Sequence, residues 1–184
     1  MVCYHGANVR KEGLMKVNTR NITITALIGA SYAALTIFLA PISYNAVQFR
    51  VSEVLCILPF FLPNAAWGLF LGCAVANLIS AAGLPDVIFG SLATLLAALC
   101  TARIGTIARA EGDSLRYRIL ACAIPVLFNG PIIGAVLAWA YMPEAFWLGF
   151  ALFGLEVAIG EAVVMFGLGL PLMQALPRLL TSRY

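Results

Sequence analysis

The sequence predicts an all-α protein that crosses a membrane with six helices. Hydrophobic residues make up 62% of its 184 residues and charged residues only 10%. A mean hydropathy of +0.98 leaves too little polar surface to cover a water-soluble globule of this size. Apolar stretches of about 20 residues, each able to cross about 30 Å of hydrocarbon as a helix, recur after residue 20. No room is left for a separate soluble domain.

The first predicted helix covers about residues 22–40 and is stopped by Pro41. The next apolar stretch, residues 51–82, is 32 residues long, about 48 Å as a helix, which is too long for one crossing and short for two. A turn at residues 62–64 would divide it, and the first half then reaches span length only if its helix begins near Ala46. The three later spans are expected at about residues 86–107, 117–141 and 146–172.

Positive charge decides between six spans and five. With six spans and both termini in the cytoplasm, ten of the eleven lysines and arginines lie on the cytoplasmic side and only Arg50 lies outside. With five spans, the arginines between 103 and 118 and those at 178 and 183 could not both share the side of the amino tail. We therefore expect an integral membrane protein with both ends cytoplasmic.

Three segments follow from this topology. Residues 1–21 lack the apolar core and cleavage site of a signal peptide and are expected to remain as a basic cytoplasmic tail. Residues 22–176 form the six-helix domain, and residues 177–184 form a short cytoplasmic end. The five cysteines are scattered singly and there is one histidine, so neither a metal site nor a disulfide framework is expected.

Polar residues at membrane depth are candidate functional groups, because an unpaired charge in hydrocarbon costs several kcal/mol. Five of them lie near the outer ends of the second, third and fourth helices: Gln48, Arg50, Glu53, Asn77 and Asp86. The other three lie near the middles of the fifth and sixth helices: Asn129, Glu156 and Glu161. Together these eight residues predict a pocket that opens to the outside.

Each candidate also has a structural explanation. Arg50 and Glu53 would neutralise each other if they shared a helix face. Asp86 stands where a carboxylate caps a helix. Asn77 and Asn129 could serve only as hydrogen-bonding groups between helices. The sequence leaves these alternatives open.

Asn129 and the two glutamates have more specific surroundings. Pro125 and Pro131 flank Asn129 and predict an interrupted helix, of the kind that lines cavities. Glu156 and Glu161 are separated by about 140° around a helix and cannot easily share a face. One of them is expected to face the pocket, and the sequence does not say which.

A stripe of small residues runs along the first helix. Ala26, Ala30 and Ala34 repeat every four residues, with Gly29 and Ala33 beside them. Such a stripe lets another helix approach closely. The approaching helix belongs either to this bundle or to a partner subunit.

No enzymatic motif accompanies these features. The sequence has no Walker phosphate loop, no Gly-x-Ser-x-Gly elbow and no His-Glu-x-x-His motif. We therefore expect a protein that is not an enzyme, that has no cofactor and that takes any energy from elsewhere.

Three segments resemble the QueT family in order and spacing: VQFRVSEVLCILPFF at 47–61, LPDVIFGSLATLLAAL at 84–99 and AIGEAVVMFGLGLPL at 158–172. QueT proteins are substrate-binding S components of energy-coupling factor (ECF) transporters linked to queuosine precursors. The similarity runs from about residue 22 to 172 and excludes the amino tail. It implies a six-helix S component that binds a 7-deazaguanine (queuine, preQ1 or preQ0) from outside.

The resemblance also implies partners. They are a transmembrane scaffold, the T component, and two cytoplasmic ATPases, with membrane lipid around the bundle and no nucleic acid. Ala26, Ala30 and Ala34 then resemble the small-residue motif with which S components meet the scaffold.

The chemistry of such a ligand suggests roles for individual residues. A carboxylate accepts the adjacent ring N–H and exocyclic amine of a deazaguanine, with Glu161 the first choice and Glu156 the second. Asn129, Gln48 or Arg50 would serve the ring carbonyl.

Two further roles concern the substituent and the faces of the ring. Asp86 or Glu53 would hold the aminomethyl cation of preQ1. Phe49 or Tyr44 would stack on the ring.

The main alternative is a stand-alone, proton-coupled secondary transporter of a small nucleobase-like solute. Glu156 and Glu161 would then carry protons. Such transporters usually show an inverted repeat, and none is evident in this sequence. An intramembrane enzyme is a further alternative, but it would lack a recognisable nucleophile and base.

Overall fold

The computed structural model describes residues 19–43 and 49–181, and these are helical without a strand. The predicted all-α class is confirmed. In chain order the helices are α1 (Thr19–Phe38), α2 (Ala40–Ser43), α3 (Val51–Phe61), α4 (Ala65–Asn77), α5 (Asp86–Glu111), α6 (Leu115–Tyr141), α7 (Phe146–Val164) and α8 (Leu170–Thr181).

Within the described residues, four helical segments are long and apolar enough to cross a membrane. They are Thr19–Phe38, Asp86–Glu111, Leu115–Tyr141 and Pro143–Leu176. The last contains α7 and the start of α8, joined by the π-helical turn Met165–Gly169. The chain is therefore an integral membrane protein by the length and composition of its helices.

The remaining helices, α3 and α4, are shorter than an ordinary span. With 11 and 13 residues, each rises about 20 Å, against about 30 Å of hydrocarbon. They form a hairpin that turns at Leu62, Pro63 and Asn64, where the sequence predicts the turn. In the described part of the chain, the four long segments together with α3 and α4 make six apolar helical segments, but α3 and α4 are too short to span the membrane by themselves.

Ala46, near which the second helix would have to begin to reach span length, lies outside the described residues. Phe49 and Arg50 are not helical, and Arg50 has an extended backbone with φ −80° and ψ 90°. Helix begins only at Val51, as a 3₁₀ run of seven residues. Runs of that length are uncommon and often mark functional or strained segments. Hydropathy alone could not distinguish this run from an α-helix.

Glycines set the distance between α1 and α4. A Cβ built on Gly29 would lie 2.7 Å from the Gly68 carbonyl oxygen, and one built on Gly72 would meet the Gly29 carbonyl oxygen even more closely. The spacing Gly68-x-x-x-Gly72 is the small-residue pattern that lets membrane helices touch through their backbones. These contacts hold α1 against α4, and Tyr32 of α1 is fully buried.

The pairing of α6 with α7 also depends on glycine. A Cβ on Gly134 would lie 2.5 Å from the Gly154 Cα. Pro125 and Pro131 lie inside α6, which is nevertheless continuous from Leu115 to Tyr141. The predicted interruption around Asn129 is therefore wrong. A proline removes one backbone donor and bends a helix, but it does not have to end it when neighbouring helices pack against it.

Candidate functional site

A small cavity lies where α3, α6 and α7 meet. Its volume is about 10 Å³, enough for about one water molecule. Four of its six lining residues are charged or carry an amide. The lining residues are Arg50, Glu53, Asn129, Ile133, Val157 and Glu161.

Glu53 is held by two hydrogen-bond donors. The Tyr32 hydroxyl donates to its Oε1, and the Cys56 thiol donates to its Oε2 with an Sγ–Oε2 distance of 2.9 Å. Close by, the hydroxyls of Thr36 and Ser52 lie 2.6 Å apart. These contacts join the 3₁₀ run of α3 to α1 and fix Glu53 at the cavity wall.

Asn129 and Glu161 face each other across the cavity from α6 and α7. They are 5% and 4% exposed, and the Asn129 amide is a hydrogen-bond partner of the Glu161 carboxylate. Asn129 Oδ1 and Glu161 Oε1 are both buried and have no hydrogen-bond partner among the described residues. A buried acceptor without a donor costs about 1–3 kcal/mol, so these two atoms are suited to a ligand that supplies donors.

A second polar group lies beside the cavity. Arg50 Nη2 is 3.5 Å from Asp86 Oδ2, and Asn77 Nδ2 donates to the Asp86 backbone carbonyl at 3.0 Å. Pro85 occupies the N-cap position of α5, so Asp86 is the first residue of that helix rather than its cap. Asn77 lies at the end of α4, and its amide connects α4 to the start of α5.

The structure therefore brings together six of the ten predicted ligand-binding residues. Arg50, Glu53, Asn129 and Glu161 line one cavity, and Asp86 and Asn77 adjoin it through Arg50.

The other four predicted binding residues lie elsewhere. Glu156 is half-buried on α7 and is absent from the cavity wall, although its Oε2 is buried without a hydrogen-bond partner in the described part of the chain. Phe49 is 36% exposed and does not line the cavity. Tyr44 and Gln48 lie outside the described residues.

Sequence reasoning missed several residues that build the site. Tyr32 lies in an apolar helix, and the only available signal was that a buried phenol needs an acceptor. Ser52 stands inside the segment that carries Arg50 and Glu53. Ile133 and Val157 resemble ordinary core residues, and only the packing of α6 on α7 shows that they line the cavity.

The small-residue stripe of α1 has two faces. Gly29 and Ala33 are buried, and Gly29 meets the backbone of α4, whereas Ala26, Ala30 and Ala34 are exposed. A groove of about 710 Å³ runs between α1 and α4 and includes Ala26 and Ala30 in its lining. Packing within the bundle therefore accounts for one face, and the docking role of the other face stays a prediction.

Comparison with known protein families identifies the family to which this chain belongs. The model of the QueT transporter family matches residues 22–178, most of the chain. The chain belongs to the QueT transporter family. The resemblance carried by the three sequence segments is thereby confirmed, and membership of a transporter family agrees with a role in transport rather than enzymatic chemistry.

One curated QueT relative gives a narrower comparison. The queuosine precursor transporter QueT of Lactococcus lactis subsp. cremoris (strain MG1363) is 38% identical over 85 residues, which cover 45% of this chain and 50% of the relative. The matched part thus spans about half the length of that relative. No solved structure matches the chain.

Proposed function

We propose that this protein is the membrane-embedded S component of an ECF transporter that imports a 7-deazaguanine queuosine precursor: queuine, preQ1 or preQ0. Membership of the QueT transporter family and similarity to the queuosine precursor transporter of Lactococcus lactis support this role. The proposed unit is the domain of residues 22–176, with both termini in the cytoplasm. ATP hydrolysis would take place on partner subunits.

One observation carries the proposal: Asn129 Oδ1 and Glu161 Oε1 are two buried acceptors without donors among the described residues, on the wall of a single cavity. A deazaguanine presents a ring N–H and an exocyclic amine side by side. Glu161 would accept one of them in a charge-assisted hydrogen bond and Asn129 would accept the other. Arg50, the cationic lining residue, would donate to the ring carbonyl. The absence of Glu156 from the cavity wall supports Glu161 over Glu156 as the proposed purine anchor.

Binding requires the cavity to open. Its volume of about 10 Å³ is far below the roughly 300–1,000 Å³ of typical ligand pockets. The 3₁₀ run Val51–Ile57 carries Glu53 and forms one wall. Separation of α3 from α6 and α7 would admit the ring and leave the acceptors of Asn129 and Glu161 facing it.

Orientation and partners complete the proposal. The turn between α5 and α6 carries Arg109, Arg116 and Arg118 at or near its ends, and this clustering favours the cytoplasmic side. The exposed face formed by Ala26, Ala30 and Ala34 would dock on the scaffold of a module that contains two ATPases. Its small side chains would let the two helices touch closely.

The proton-coupled secondary transporter remains the second candidate, because Glu53 and Glu161 line the same cavity and two buried acids can carry protons. Uptake by this protein alone in proteoliposomes, driven by a pH gradient without ATPase subunits, would favour that function. Uptake that requires ATP and the partner subunits would favour the S component.

The direct test is thermal stabilisation of the purified protein in detergent by preQ0, preQ1, queuine, guanine, thiamine and biotin at equal concentration. A ligand that binds only the folded state raises stability by RT ln(1 + [L]/Kd). At 100 times Kd this amounts to about 2.7 kcal/mol. We expect a clear rise with at least one deazaguanine and none with thiamine or biotin. The absence of a rise with every purine would contradict the proposal.

A further inference from the structure

Two carboxylic acids line the same small cavity, and the proposed purine edge uses only one of them. Glu53 and Glu161 both line the cavity of about 10 Å³, which has room for about one water molecule. They are 1% and 4% exposed, and the two groups interact electrostatically. Two like charges in so small a buried site repel each other, so a pair of this kind keeps a proton on one of its members.

The positive charge at the cavity is not sufficient to neutralise both acids. In the described part of the chain, Arg50 is the cationic lining residue, and its Nη2 lies 3.5 Å from Asp86 Oδ2. Asp86 is itself a buried acid, 1% exposed. One guanidinium therefore serves three acids: Glu53, Asp86 and Glu161.

The other titratable groups around the two acids add no positive charge. They are the phenol of Tyr32 on α1 and the thiols of Cys56 on α3 and Cys73 on α4, and such groups are ordinarily neutral at pH 7. Helix α6 contributes the uncharged amide of Asn129 to the wall, and Glu156 of α7 is absent from it. The excess of acids over the guanidinium thus remains.

Hydrogen bonding decides which of the two acids holds the proton. Both oxygens of Glu53 accept hydrogen bonds, from the Tyr32 hydroxyl and the Cys56 thiol, and donors of this kind favour an ionised carboxylate. Glu161 has the Asn129 amide as its partner, while its Oε1 has no donor among the described residues. A proton on Glu161 turns this oxygen into a donor, on a wall where Asn129 Oδ1 is an acceptor that lacks one.

We propose that Glu53 is a carboxylate and Glu161 a carboxylic acid in the empty cavity, and that a ligand bound through its N–H donors releases the Glu161 proton. The O–H bond of Glu161 breaks, the proton passes to the surrounding water, and the electron pair left on the oxygen accepts the ligand N–H. Tyr32 is a positioning residue, because it contacts Glu53 and not the ligand. This inference rests on the proposed function, which places the purine edge at Glu161.

The direction of this coupling separates it from proton-coupled import. In a transporter that carries a proton and its solute together, protonation favours solute binding, because the coupling between two bound species is reciprocal. Here the proton and the ligand compete for the same Glu161 oxygen. The affinity of the site for a deazaguanine therefore falls as pH falls.

The experiment is isothermal titration calorimetry of the full-length protein in detergent with unsubstituted 7-deazaguanine, which has no aminomethyl group to titrate. Titrations in buffers of different ionisation enthalpy count the protons released, and we expect about one per bound ligand. Where the empty site holds the proton, the affinity should fall about tenfold for each pH unit of acidification.

Tyr32→Phe removes one donor from Glu53 and keeps the aromatic ring. The proton then moves towards Glu53, which is not part of the purine edge, so we expect fewer than about 0.5 protons to be released per ligand. The affinity near neutral pH should not decrease. Tyr117→Phe is the matched control, because it removes a hydroxyl that donates to Glu111 next to the turn between α5 and α6, and it should release as many protons as the wild type.

Glu53→Gln is the second variant, in case Tyr32→Phe does not fold. It removes one of the two like charges and leaves Arg50 and Glu161 in place, so Glu161 is ionised before the ligand arrives. Binding of 7-deazaguanine should then release almost no proton, and its affinity should no longer fall over the pH range in which that of the wild type falls.

The outcomes separate this inference from the proposed function. If no deazaguanine binds the wild type at any pH, both fail. If 7-deazaguanine binds without proton release, or if Tyr32→Phe and Glu53→Gln release as many protons as the wild type, this inference is wrong and the proposed function stands. Tighter binding at lower pH would also overturn it and would favour the proton-coupled transporter.

Discussion

The arginines on either side of the turn between α5 and α6 and the acceptors at the cavity wall differ in how completely they are paired. At the turn, Arg109 Nη1 donates to the Phe60 carbonyl at 2.6 Å. Arg118 Nη1 donates to the Met173 carbonyl at 2.8 Å, and its other nitrogens bond Asp113 at 3.1 and 2.5 Å. At the cavity, acceptors of Asn129 and Glu161 have no donor in the described part of the protein.

This difference shows which polar groups hold the fold and which are available to bind something else. The arginines tie α5 and α6 to the ends of α3 and α8, so their hydrogen-bonding capacity is used within the protein. The acceptor oxygens of Asn129 and Glu161, in contrast, have no hydrogen-bond donor among the described residues. Burying an unpaired acceptor in apolar surroundings costs free energy. Changes at the turn should therefore affect stability, and changes at the cavity should affect binding.

Glu161→Gln should produce the largest effect. It removes the charge from the proposed purine anchor and places an amide donor near the ring's own donors. We expect preQ1 affinity to fall about 100-fold, or about 2.7 kcal/mol, in calorimetric titrations. The thermal stability of the ligand-free protein should not fall, since a buried carboxylate is replaced by a neutral group of similar size.

Glu156→Gln is the matched control for that experiment. It makes the same chemical change on the same helix, five residues away and outside the cavity wall. Affinity should change less than about threefold. Equal losses in the two variants would show that the cavity does not distinguish the two glutamates and would remove Glu161 as the anchor.

Arg118→Met should produce the opposite pattern. It keeps much of the aliphatic side chain but removes the bonds to Met173 and Asp113, so we expect the free energy of unfolding to fall by about 2 kcal/mol. The affinity for preQ1 should stay within about twofold of the wild type. A stable variant with weakened binding would contradict the assignment of this arginine to the fold.

Gly105→Ala should have a somewhat smaller effect at the same end of the bundle. A Cβ there would meet the Phe60 carbonyl oxygen that Arg109 also contacts, and overpacking of this kind costs about 1–3 kcal/mol. Thermal unfolding should show the loss, with Gly167→Ala unchanged as the control. If the two alanine variants unfold alike, the contact between α3 and α5 is not tight enough to limit the fold.

Much of the fold could be predicted from the sequence because apolar length and prolines are local properties. The turn at Pro63, the start of the fifth span near residue 115 and its end at Tyr141 are examples. The 3₁₀ run from Val51 could not be predicted, because it depends on contacts of Glu53 and Ser52 with α1. The continuity of α6 through Pro125 and Pro131 likewise depends on its packing against α7.

The candidate site was only partly predictable for the same reason. The cost of polar groups in a membrane was enough to single out Arg50, Glu53, Asn129 and Glu161. Their meeting in one cavity depends on how the helices pack. From the sequence, the expected partner of Arg50 was the nearby Glu53. In the structure, Arg50 instead pairs with Asp86, a residue 36 positions away.

The most direct test is an experimental structure of the protein with preQ1 bound. Our account predicts the ring between α3, α6 and α7, with its N–H and exocyclic amine about 3 Å from the Glu161 and Asn129 oxygens. A ring bound elsewhere, such as in the groove between α1 and α4, with Asn129 and Glu161 still in contact with each other, would contradict it.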